Sequence, residues 1–475
     1  MKRFPSWITT LRRTLLSLAV LATIIAAAWV EEDMRGEREL RRFEQKCREE
    51  GEPLDYMFYK PAPVPDSQNL FQAPILAQFA KDSDASAAAK YQNEYPLPLE
   101  LMRVLGHWQS AEPTDFAEVF VILKKRPQPG SVPDSRQAAQ LVLDSLKGVQ
   151  TGVDELCDAA RQRPYSQIVF RADGYLGADI RTLRYFTQAL TLRAAAEVEL
   201  GLYDDAYRDI YTSMRLAEGA FAYPSHIYLL MANVMERMSL QPFWEGSVKG
   251  AWTDSQLGTL QDLLSRNHPL RELPAALAAG RAASVPHFEF DVVRPRWMPA
   301  GWWKLNIVHF FEPGSGGGWN PSSYDAGAER INLEAIARAD AQSEAIQRTH
   351  SPTQWLARKY AWPHQIASLV GFLQNTVTLG RTACALQRYR LEHGRYPDSL
   401  SGLVPGLLPS VPNDVIDGQP LRYACADGAH FKLYSIGLNG IDDHGALPGK
   451  QGPAMLKSAW VPTEGDWVWP QAPVK

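Results

Sequence analysis

Charged and uncharged positions divide the start of the chain into three blocks. Lys2, Arg3, Arg12 and Arg13 precede an uncharged stretch, 14 to 30, and three acidic residues follow that stretch directly. Its length lies at the lower end of the roughly 17 to 25 residues that a helix needs to cross a bilayer. Because basic residues precede the stretch, the pattern predicts a membrane anchor with residues 1 to 13 in the cytoplasm and the bulk of the chain outside it.

A removable signal peptide is the alternative interpretation of the same stretch. Ala26, Ala27 and Ala28 satisfy the small-residue pattern at which such peptides are cleaved. We favour an uncleaved anchor because the uncharged stretch continues through Trp29 and Val30. Both routes export one body, since the sequence contains no second uncharged stretch of membrane length.

Helical periodicity dominates the next part of the chain. Leu40, Phe43 and Cys47 recur at intervals of three and four in a charged segment, which predicts a helix with one buried face. A proline-rich segment follows and predicts an extended chain that wraps the body. Beyond it the spacing predicts successive helices, one of which has Asp134 or Ser135 as its N-cap.

Two of these predicted helices are joined at the sequence LGLYDDA, residues 200 to 206. Gly201, Tyr203 and Ala206, with small residues before and after them, resemble a single helical hairpin of the tetratricopeptide type. In that family the glycine ends the first helix, the aromatic residue wedges between the helices and the alanine allows their close approach. A generic antiparallel helix pair is the alternative interpretation.

Residues 286 to 325 interrupt the helical pattern with many aromatic, proline and glycine residues, which predicts an insertion of ordered loops. Trp297, Trp302 and Trp303 lie within it. Tryptophan rings either cover a core or an interface or stack on sugar rings. The second possibility supports an alternative function for the chain, an exported hydrolase with a tryptophan-rich platform for envelope glycans.

The pattern near the C-terminus combines helix and strand. Apolar positions from residue 363 onward predict a long helix, for which Gly394 provides a C-terminal cap. Asp398 or Ser399 then caps a short helix. The alternation on either side of Asp427-Gly428 predicts a β-hairpin with a two-residue turn.

Three phrases of this region carry a second resemblance: LQRYRLEHGRYPDSLSGL, VPNDVIDGQPLRY and KLYSIGLNGIDDHG. In this order they resemble the globular part of the major pseudopilin of type II secretion systems, which implies a secretion-related role. The chain departs from that family because no prepilin cleavage motif precedes the anchor. More than three hundred residues also separate the anchor from the module, which argues against a pilus-like polymer.

The pseudopilin resemblance also implies a calcium site in the acidic loop after the hairpin. Asn439, Asp442 and Asp443 would supply side-chain oxygens, and Leu438 or Ile441 a backbone carbonyl. Calcium takes six to eight oxygen ligands, so the loop would need further ligands or water. A turn held by its own side-chain to backbone hydrogen bonds is the alternative.

The predicted fold class is mainly α, with a helical body, a small α+β module and a single N-terminal membrane helix. In the tail, Trp467 and Trp469 lie on the same side of an extended chain and are predicted to dock on the body or on a partner. The predicted divisions are 1 to 13, the anchor 14 to 30, the charged and proline-rich segment 31 to 110, the helical body 111 to 285, the insertion 286 to 325, a helical segment 326 to 362, the module 363 to 446 and the tail 447 to 475.

Composition excludes some classes of function but does not identify one. A net charge of -4 and a pI near 6.2 show no basic excess, which disfavours nucleic-acid binding. The four cysteines form no C-x-x-C pair, which argues against a zinc or thioredoxin-type site. Cys384 and Cys425 could pair in an exported module, and isolated buried thiols are the alternative for all four, Cys47, Cys157, Cys384 and Cys425.

The sequence identifies no catalytic residue and no cofactor site beyond the calcium loop. Its ten histidines are scattered and do not form H-x-H or H-E-x-x-H, and no G-x-S-x-G motif is present. We therefore interpret the chain as a membrane-anchored, extracytoplasmic structural or assembly protein of the cell envelope. Its expected partners are the membrane, through residues 14 to 30, and other envelope proteins.

Overall fold

The structure is a computed structural model of the chain. It describes residues 6–80, 97, 104–105, 107–124, 134–170, 177–291, 294–312, 321–348, 351–360, 366–447, 461–462 and 464–471. The chain forms two compact units from interleaved segments. Unit 1 comprises Met1–Tyr56, Arg281–Asn320 and Ala337–His364, and unit 2 comprises Met57–Gly280, Pro321–Ile336 and Gln365–Lys475.

The described residues are mainly helical, with few strands. Their helices are α1 (Ser6–Glu49), α2 (Pro74–Ala80), α3 (Phe116–Lys124), α4 (Ser135–Ser145), α5 (Gln150–Gln162), α6 (Gly177–Leu200), α7 (Tyr203–Phe221), α8 (His226–Val248), α9 (Asp254–Ser265), α10 (Pro269–Pro286), α11 (Ala300–Phe311), α12 (Leu333–Arg348), α13 (Trp355–Tyr360) and α14 (Ile366–His393). The strands are β1 (Tyr324–Asp325), β2 (Arg330–Ile331), β3 (Arg422–Cys425), β4 (Phe431–Ser435) and β5 (Trp467–Trp469).

In unit 1, helix α1 joins the predicted anchor to the charged helix without a break. The apolar part of α1 has a mean hydropathy of 1.9 over eighteen residues, is not buried by the rest of the chain and is long and apolar enough to span a membrane. Beyond that part, Leu40, Phe43 and Cys47 are buried, as their spacing predicted. One helix therefore carries both an exposed apolar stretch and part of a folded core.

Helix α11 packs along this second part of α1 and contributes more residues to the core of unit 1 than any other helix. Trp303, Ile307, Phe310 and Phe311 of α11 are buried together with the apolar face of α1. The prediction that residues 286 to 325 interrupt the helical pattern was wrong for this stretch. Because the apolar residues of α11 lie on most sides of the helix, no polar stripe marks the helical period in the sequence.

Unit 2 is a helical body in which α6, α7 and α8 pack against one another and α14 packs against α8 and α9. The predicted cap of α4 is present, since the Asp134 side chain accepts a hydrogen bond from Gln137 N at 2.8 Å. Gly394 follows α14 with φ of +73°, a conformation that glycine adopts without strain, as the predicted C-terminal cap requires. The long helix of the predicted module is thus part of the helical packing of this unit.

A three-stranded antiparallel sheet with the order β3-β4-β5 completes unit 2. The predicted hairpin is present, but Cys425 pairs with Phe431, so the turn has five residues instead of two. Gly428 lies in that turn with φ of +71°. Strand β5 was not predicted as part of a sheet, and it pairs Trp467 with Ser435 and Trp469 with Leu433.

Candidate functional site

The hairpin of α6 and α7 forms one side of the candidate site in unit 2. Gly201 has φ of +84°, and Leu202 N donates a hydrogen bond of 2.8 Å to Glu197 O, which ends α6 sharply. Ala206 is buried, and Tyr203 packs edge-on against Trp252 with ring centroids 6.5 Å apart. These residues position the first turn of α7 beside the first turns of α9.

An open pocket of about 430 Å³ lies between α5, α7 and α9. Its rim carries a hydrogen bond of 3.0 Å from Gln256 Nε2 to Asp204 Oδ1. The Tyr207 and Tyr211 rings are stacked one helical turn apart, with centroids at 6.3 Å. The pocket is lined by Arg161, Asp204, Asp205, Tyr207, Arg208, Tyr211, Gln256 and Thr259.

A buried ion network lies directly behind this pocket. Arg193 of α6 donates to both carboxylate oxygens of Asp209 of α7, at 2.5 Å from Nε and 2.7 Å from Nη2. Its Nη1 also donates to Asp154 Oδ1 at 2.8 Å. Arg208, which lines the pocket, donates to the same Asp154 oxygen at 3.3 Å. The wall of the pocket is thereby fixed to the core by charge-assisted hydrogen bonds.

Burial and the charge of Asp209 set the protonation of this network. Burial alone would lower the pKa of Arg193, but the hydrogen bonds and the charge of Asp209 raise that pKa overall. Burial, with the nearby Asp209, raises the pKa of Glu197 to about 9 and that of the Cys157 thiol to about 12. At neutral pH Cys157 is therefore a thiol without the reactivity of a thiolate.

The pocket combines side chains of types that are common at protein interfaces. Two exposed or half-exposed arginines, two aspartates and two tyrosine faces are available within one concave surface. Arginine and tyrosine are enriched at protein interfaces because each combines a large contact area with directed hydrogen bonds. The sequence analysis did not identify these lining residues as a site. The repeat of Tyr207 and Tyr211 at i, i+4 was the available indication.

Unit 1 separates the three tryptophans of the predicted platform. Trp303 is buried, and its Nε1 donates to Phe288 O at 2.8 Å. Trp302 is half-buried and donates to Glu32 Oε2 at 3.2 Å. Only Trp297 of the three is exposed, with 55% of its surface accessible. The three rings therefore do not form a common platform, because α11 turns two of them toward α1 and the core.

The two tryptophans of the tail dock on the body of unit 2. Trp467 packs edge-on against Phe372 of α14 with centroids at 5.0 Å, and Trp469 lies 4.8 Å from the Trp108 ring. Both are buried. Of the two predicted docking surfaces, the body is the one in contact, and neither ring is on the surface for a partner to bind.

The predicted calcium residues lie in one loop, where they also make their own hydrogen bonds. Asp442 Oδ1 accepts from His444 N at 2.8 Å and from Tyr434 Oη at 3.2 Å. Asn439 Nδ2 donates to Asp443 Oδ2 at 3.2 Å, and Asn439 Oδ1 accepts from Ile441 N. These are the contacts of the Asx-turn alternative.

Asp466, which sequence reasoning did not identify, closes this acidic loop. Its two carboxylate oxygens accept from Asp443 N at 3.2 Å and from Gly445 N at 2.7 Å. Burial raises the pKa of Asp466, and the charges of Asp442 and Asp443 raise it further. Among the described residues, no group of three or more histidine, cysteine, aspartate or glutamate side chains is arranged to hold a metal ion.

The cysteines are free thiols. Cys47, Cys157 and Cys384 are buried and Cys425 is half-buried. The conceivable pair of Cys384 with Cys425 is not formed, and the alternative of isolated thiols describes the structure. Burial raises the pKa of Cys384 above its ordinary range, so this thiol stays protonated at neutral pH.

Comparison of the chain with models of protein families, with curated proteins and with solved structures gives no match. The tetratricopeptide and pseudopilin resemblances therefore stay predictions from the sequence.

Proposed function

We propose that this chain is a membrane-anchored assembly protein of the cell envelope whose folded units lie outside the cytoplasm. In this proposal, the pocket between α5, α7 and α9 holds a segment of a partner polypeptide. The pseudopilin resemblance of the C-terminal module leads us to propose further that the assembly is related to secretion. The proposal rests on the pocket, because its lining combines tyrosine rings with both arginine and aspartate side chains.

The course of α1 supports an uncleaved anchor. The helix continues through Ala26, Ala27 and Ala28, where the signal-peptide alternative places its cleavage site, and then enters the core of unit 1 through Leu40 and Phe43. A helix that is exposed and apolar at one end and packed in a core at the other holds a folded unit directly at a membrane. The basic residues before the apolar stretch support the proposed orientation.

The way the pocket is built supports binding of a partner. A recognition surface loses less affinity to the ordering of its side chains when those side chains are already fixed. Arg208 is held by Asp154, and Asp154 is held by the buried Arg193. The tryptophan platform on which the hydrolase alternative depended offers no comparable support, because Trp302 and Trp303 face α1 and the core.

A charge reversal at the pocket tests the proposed binding. Arg161 lines the pocket, has a side chain 58% exposed and pairs with Asp158 three residues before it. Arg395 lies elsewhere in the same unit, has a side chain 57% exposed and pairs with Asp398 three residues after it. We expect affinity capture from solubilised membranes to lose at least one envelope protein with Arg161→Glu and none with Arg395→Glu. Equal recovery with both variants, or no partner with the unchanged chain, would contradict the proposal.

A separate experiment tests the location. We expect the full chain to stay in the membrane fraction after alkaline carbonate extraction. We also expect protease added to the outer side of the cytoplasmic membrane to digest both folded units. Release by carbonate would contradict the anchor, and protection of the units would contradict the orientation.

A further inference from the structure

Unit 1 places the start of α11 beside the end of the apolar part of α1. Gly301 N donates a hydrogen bond of 2.7 Å to Asp33 Oδ1, and Trp302 Nε1 donates to Glu32. The backbones approach so closely that a Cβ on Gly36 would lie 2.3 Å from Gly301 O. The first turn of α11 is therefore fixed against residues 32 to 36 of α1.

Further contacts show that the two helices run in the same direction. Beyond Gly301, Lys304 bonds Glu37, and Glu312 lies 3.8 Å from Lys46. Helix α11 thus leads away from the apolar stretch of α1. The turn that precedes α11, residues 294 to 299, consequently lies at the end of α11 nearest to that stretch.

The distance from the apolar stretch corresponds to the headgroup layer of a bilayer. The contact residues Asp33 and Gly36 are three and six positions beyond Val30, which at the rise of an α-helix is about 5 to 9 Å. Each headgroup layer is about 5 to 7 Å thick if a bilayer of 40 to 45 Å has a hydrocarbon core of about 30 Å. The turn before α11 is therefore at the depth where water and lipid headgroups meet.

The exposed side chains of this turn are of types that commonly contact lipid headgroups. Arg294, Arg296 and Trp297 are exposed, whereas Met298 is buried in the core of unit 1. A hydrogen bond of 2.9 Å from Met298 N to Pro295 O holds the turn and presents Trp297 outward. Tryptophan is the residue most characteristic of membrane interfaces, and guanidinium groups form charge-assisted bonds with phosphates.

We propose that the turn Arg294–Trp297 is a second membrane contact of this chain. The Trp297 ring lies among the lipid headgroups, and the guanidinium of Arg296 binds lipid phosphate. Arg294 donates from Nη1 to Met298 O, which holds the turn, and its remaining N–H groups face the same layer. The length of the apolar stretch of α1 supports this contact. Its seventeen residues span only about 26 Å as a helix, and so short a span draws the residues that flank it toward the bilayer. This inference rests on the proposed function in one respect, the insertion of α1 in a membrane.

Labels at three positions of the full chain test the contact in vesicles of phosphatidylethanolamine and phosphatidylglycerol. Each label is an environment-sensitive fluorophore on a cysteine introduced by Trp297→Cys, Phe290→Cys or Leu21→Cys in a Cys425→Ser background. Phe290 is the matched control because its side chain is 77% exposed in the same unit. Its neighbour Glu289 lies near Glu37 and Glu44 of α1, which are seven and fourteen positions beyond Val30.

We expect quenching by the neutral solute acrylamide at position 297 to be at least about threefold weaker than at position 290, because a headgroup layer excludes the solute. A headgroup spin label should quench position 297 and not position 290. Adding Arg296→Glu should restore access of acrylamide to position 297.

Position 21 separates the two ways in which the experiment can fail. Protection at position 21 with equal acrylamide access at 297 and 290 would overturn the second contact and leave the anchor intact. Free access at position 21 would overturn the anchor, and with it this inference.

Discussion

Asp209 on α7 and Glu236 on α8 are two of the carboxylates that unit 2 buries away from solvent. Asp209 accepts two hydrogen bonds from Arg193 at 2.5 and 2.7 Å. Neither oxygen of Glu236 accepts a hydrogen bond from any residue that the structure describes. The guanidinium of the neighbouring Arg237 lies 5.5 Å from the Phe372 ring centroid.

The difference shows two ways in which a protein core tolerates an acidic side chain. Burial raises the pKa of Asp209 overall, and the hydrogen bonds and charge of Arg193 oppose that rise, so this carboxylate depends on Arg193. Among the residues that the structure describes, Glu236 has no such partner, and burial raises its pKa to about 8, so it is mostly protonated at neutral pH. The stability that Asp209 contributes therefore depends on Arg193, and the stability that Glu236 contributes depends on pH. This contrast can be tested at each carboxylate.

The largest effect is expected from Arg193→Met. The substitution removes the bidentate partner of Asp209 and leaves a buried carboxylate, so we expect the free energy of unfolding of unit 2 to fall by about 3–5 kcal/mol. Native-state hydrogen exchange of the α6 and α7 amides in detergent measures this loss in unit 2 itself.

The double variant Arg193→Met with Asp209→Leu provides the control. Replacing both charges by apolar side chains of similar size removes the uncompensated charge, so we expect most of the lost stability to return. If the double variant is as unstable as Arg193→Met alone, the network stabilises by packing and not by pairing, and the comparison with Glu236 fails.

Asp414 is another buried carboxylate of unit 2, and it combines neutral donors with a cation. Its oxygens accept from Ile416 N at 2.9 Å, Ser435 Oγ at 2.8 Å and Ile436 N at 3.0 Å, in addition to Arg422. Asp414→Leu leaves these donors without their acceptor, and we expect a loss of about 3 kcal/mol. Hydrogen exchange of the β3 and β4 amides measures it.

Asp427→Ala is the matched control for this position. Asp427 also accepts from two backbone amides, Ala429 N at 2.9 Å and His430 N at 2.7 Å, but it lies in the exposed turn between β3 and β4. Water can replace an acceptor there, so we expect a clearly smaller loss than for Asp414→Leu. Losses of equal size would show that burial does not determine the value of these hydrogen bonds.

Glu236 is expected to act through pH. Its pKa is raised from 4.5 to about 8, so between these values the folded chain holds a proton that the unfolded chain has released. Stability from this group is therefore fully present below pH 4.5 and is lost as pH rises toward 8, by up to about 1.4 kcal/mol per pH unit. Glu236→Gln removes this dependence because an amide does not ionise.

The measurement is the difference in unfolding free energy between wild type and Glu236→Gln at several pH values from 5 to 8. The pKa shifts of all other ionisable groups affect both proteins equally and cancel in this difference. Glu344→Gln, at a side chain that is 71% exposed, is the control and should show no slope. A flat difference for Glu236→Gln would mean that a hydrogen-bond donor, a cation or water stabilises the ionised carboxylate and keeps its pKa ordinary.

Much of the helical framework could be predicted because its signals are local. Gly201 and Gly394 end helices through their own backbone conformation, and Asp134 caps α4 within three residues. The spacing of Leu40, Phe43 and Cys47 identified the buried face of α1 without knowledge of its partner.

The candidate site could not be predicted in the same way, because its residues meet only after folding. Arg193, Asp209 and Asp154 come from three helices, and the pocket combines side chains of α5, α7 and α9. Helix α11 was missed because it is apolar on most sides. Strand β5 has only three residues, and it pairs with β4 from more than thirty positions away.

The smallest effect is expected from adding calcium to the acidic loop. This prediction tests whether carboxylates that already accept hydrogen bonds still bind a cation. Asp442 accepts from His444 N, and Asp466 accepts from Asp443 N and Gly445 N, so a cation would compete with existing donors. If the dissociation constant is weaker than 1 mM, 1 mM calcium adds less than about 0.4 kcal/mol to the free energy of unfolding. We expect the melting temperature to stay within error when calcium replaces magnesium. A saturable rise that Asp442→Asn abolishes would instead establish the calcium site that the pseudopilin resemblance implies, with Asp466 as the carboxylate that the sequence did not reveal.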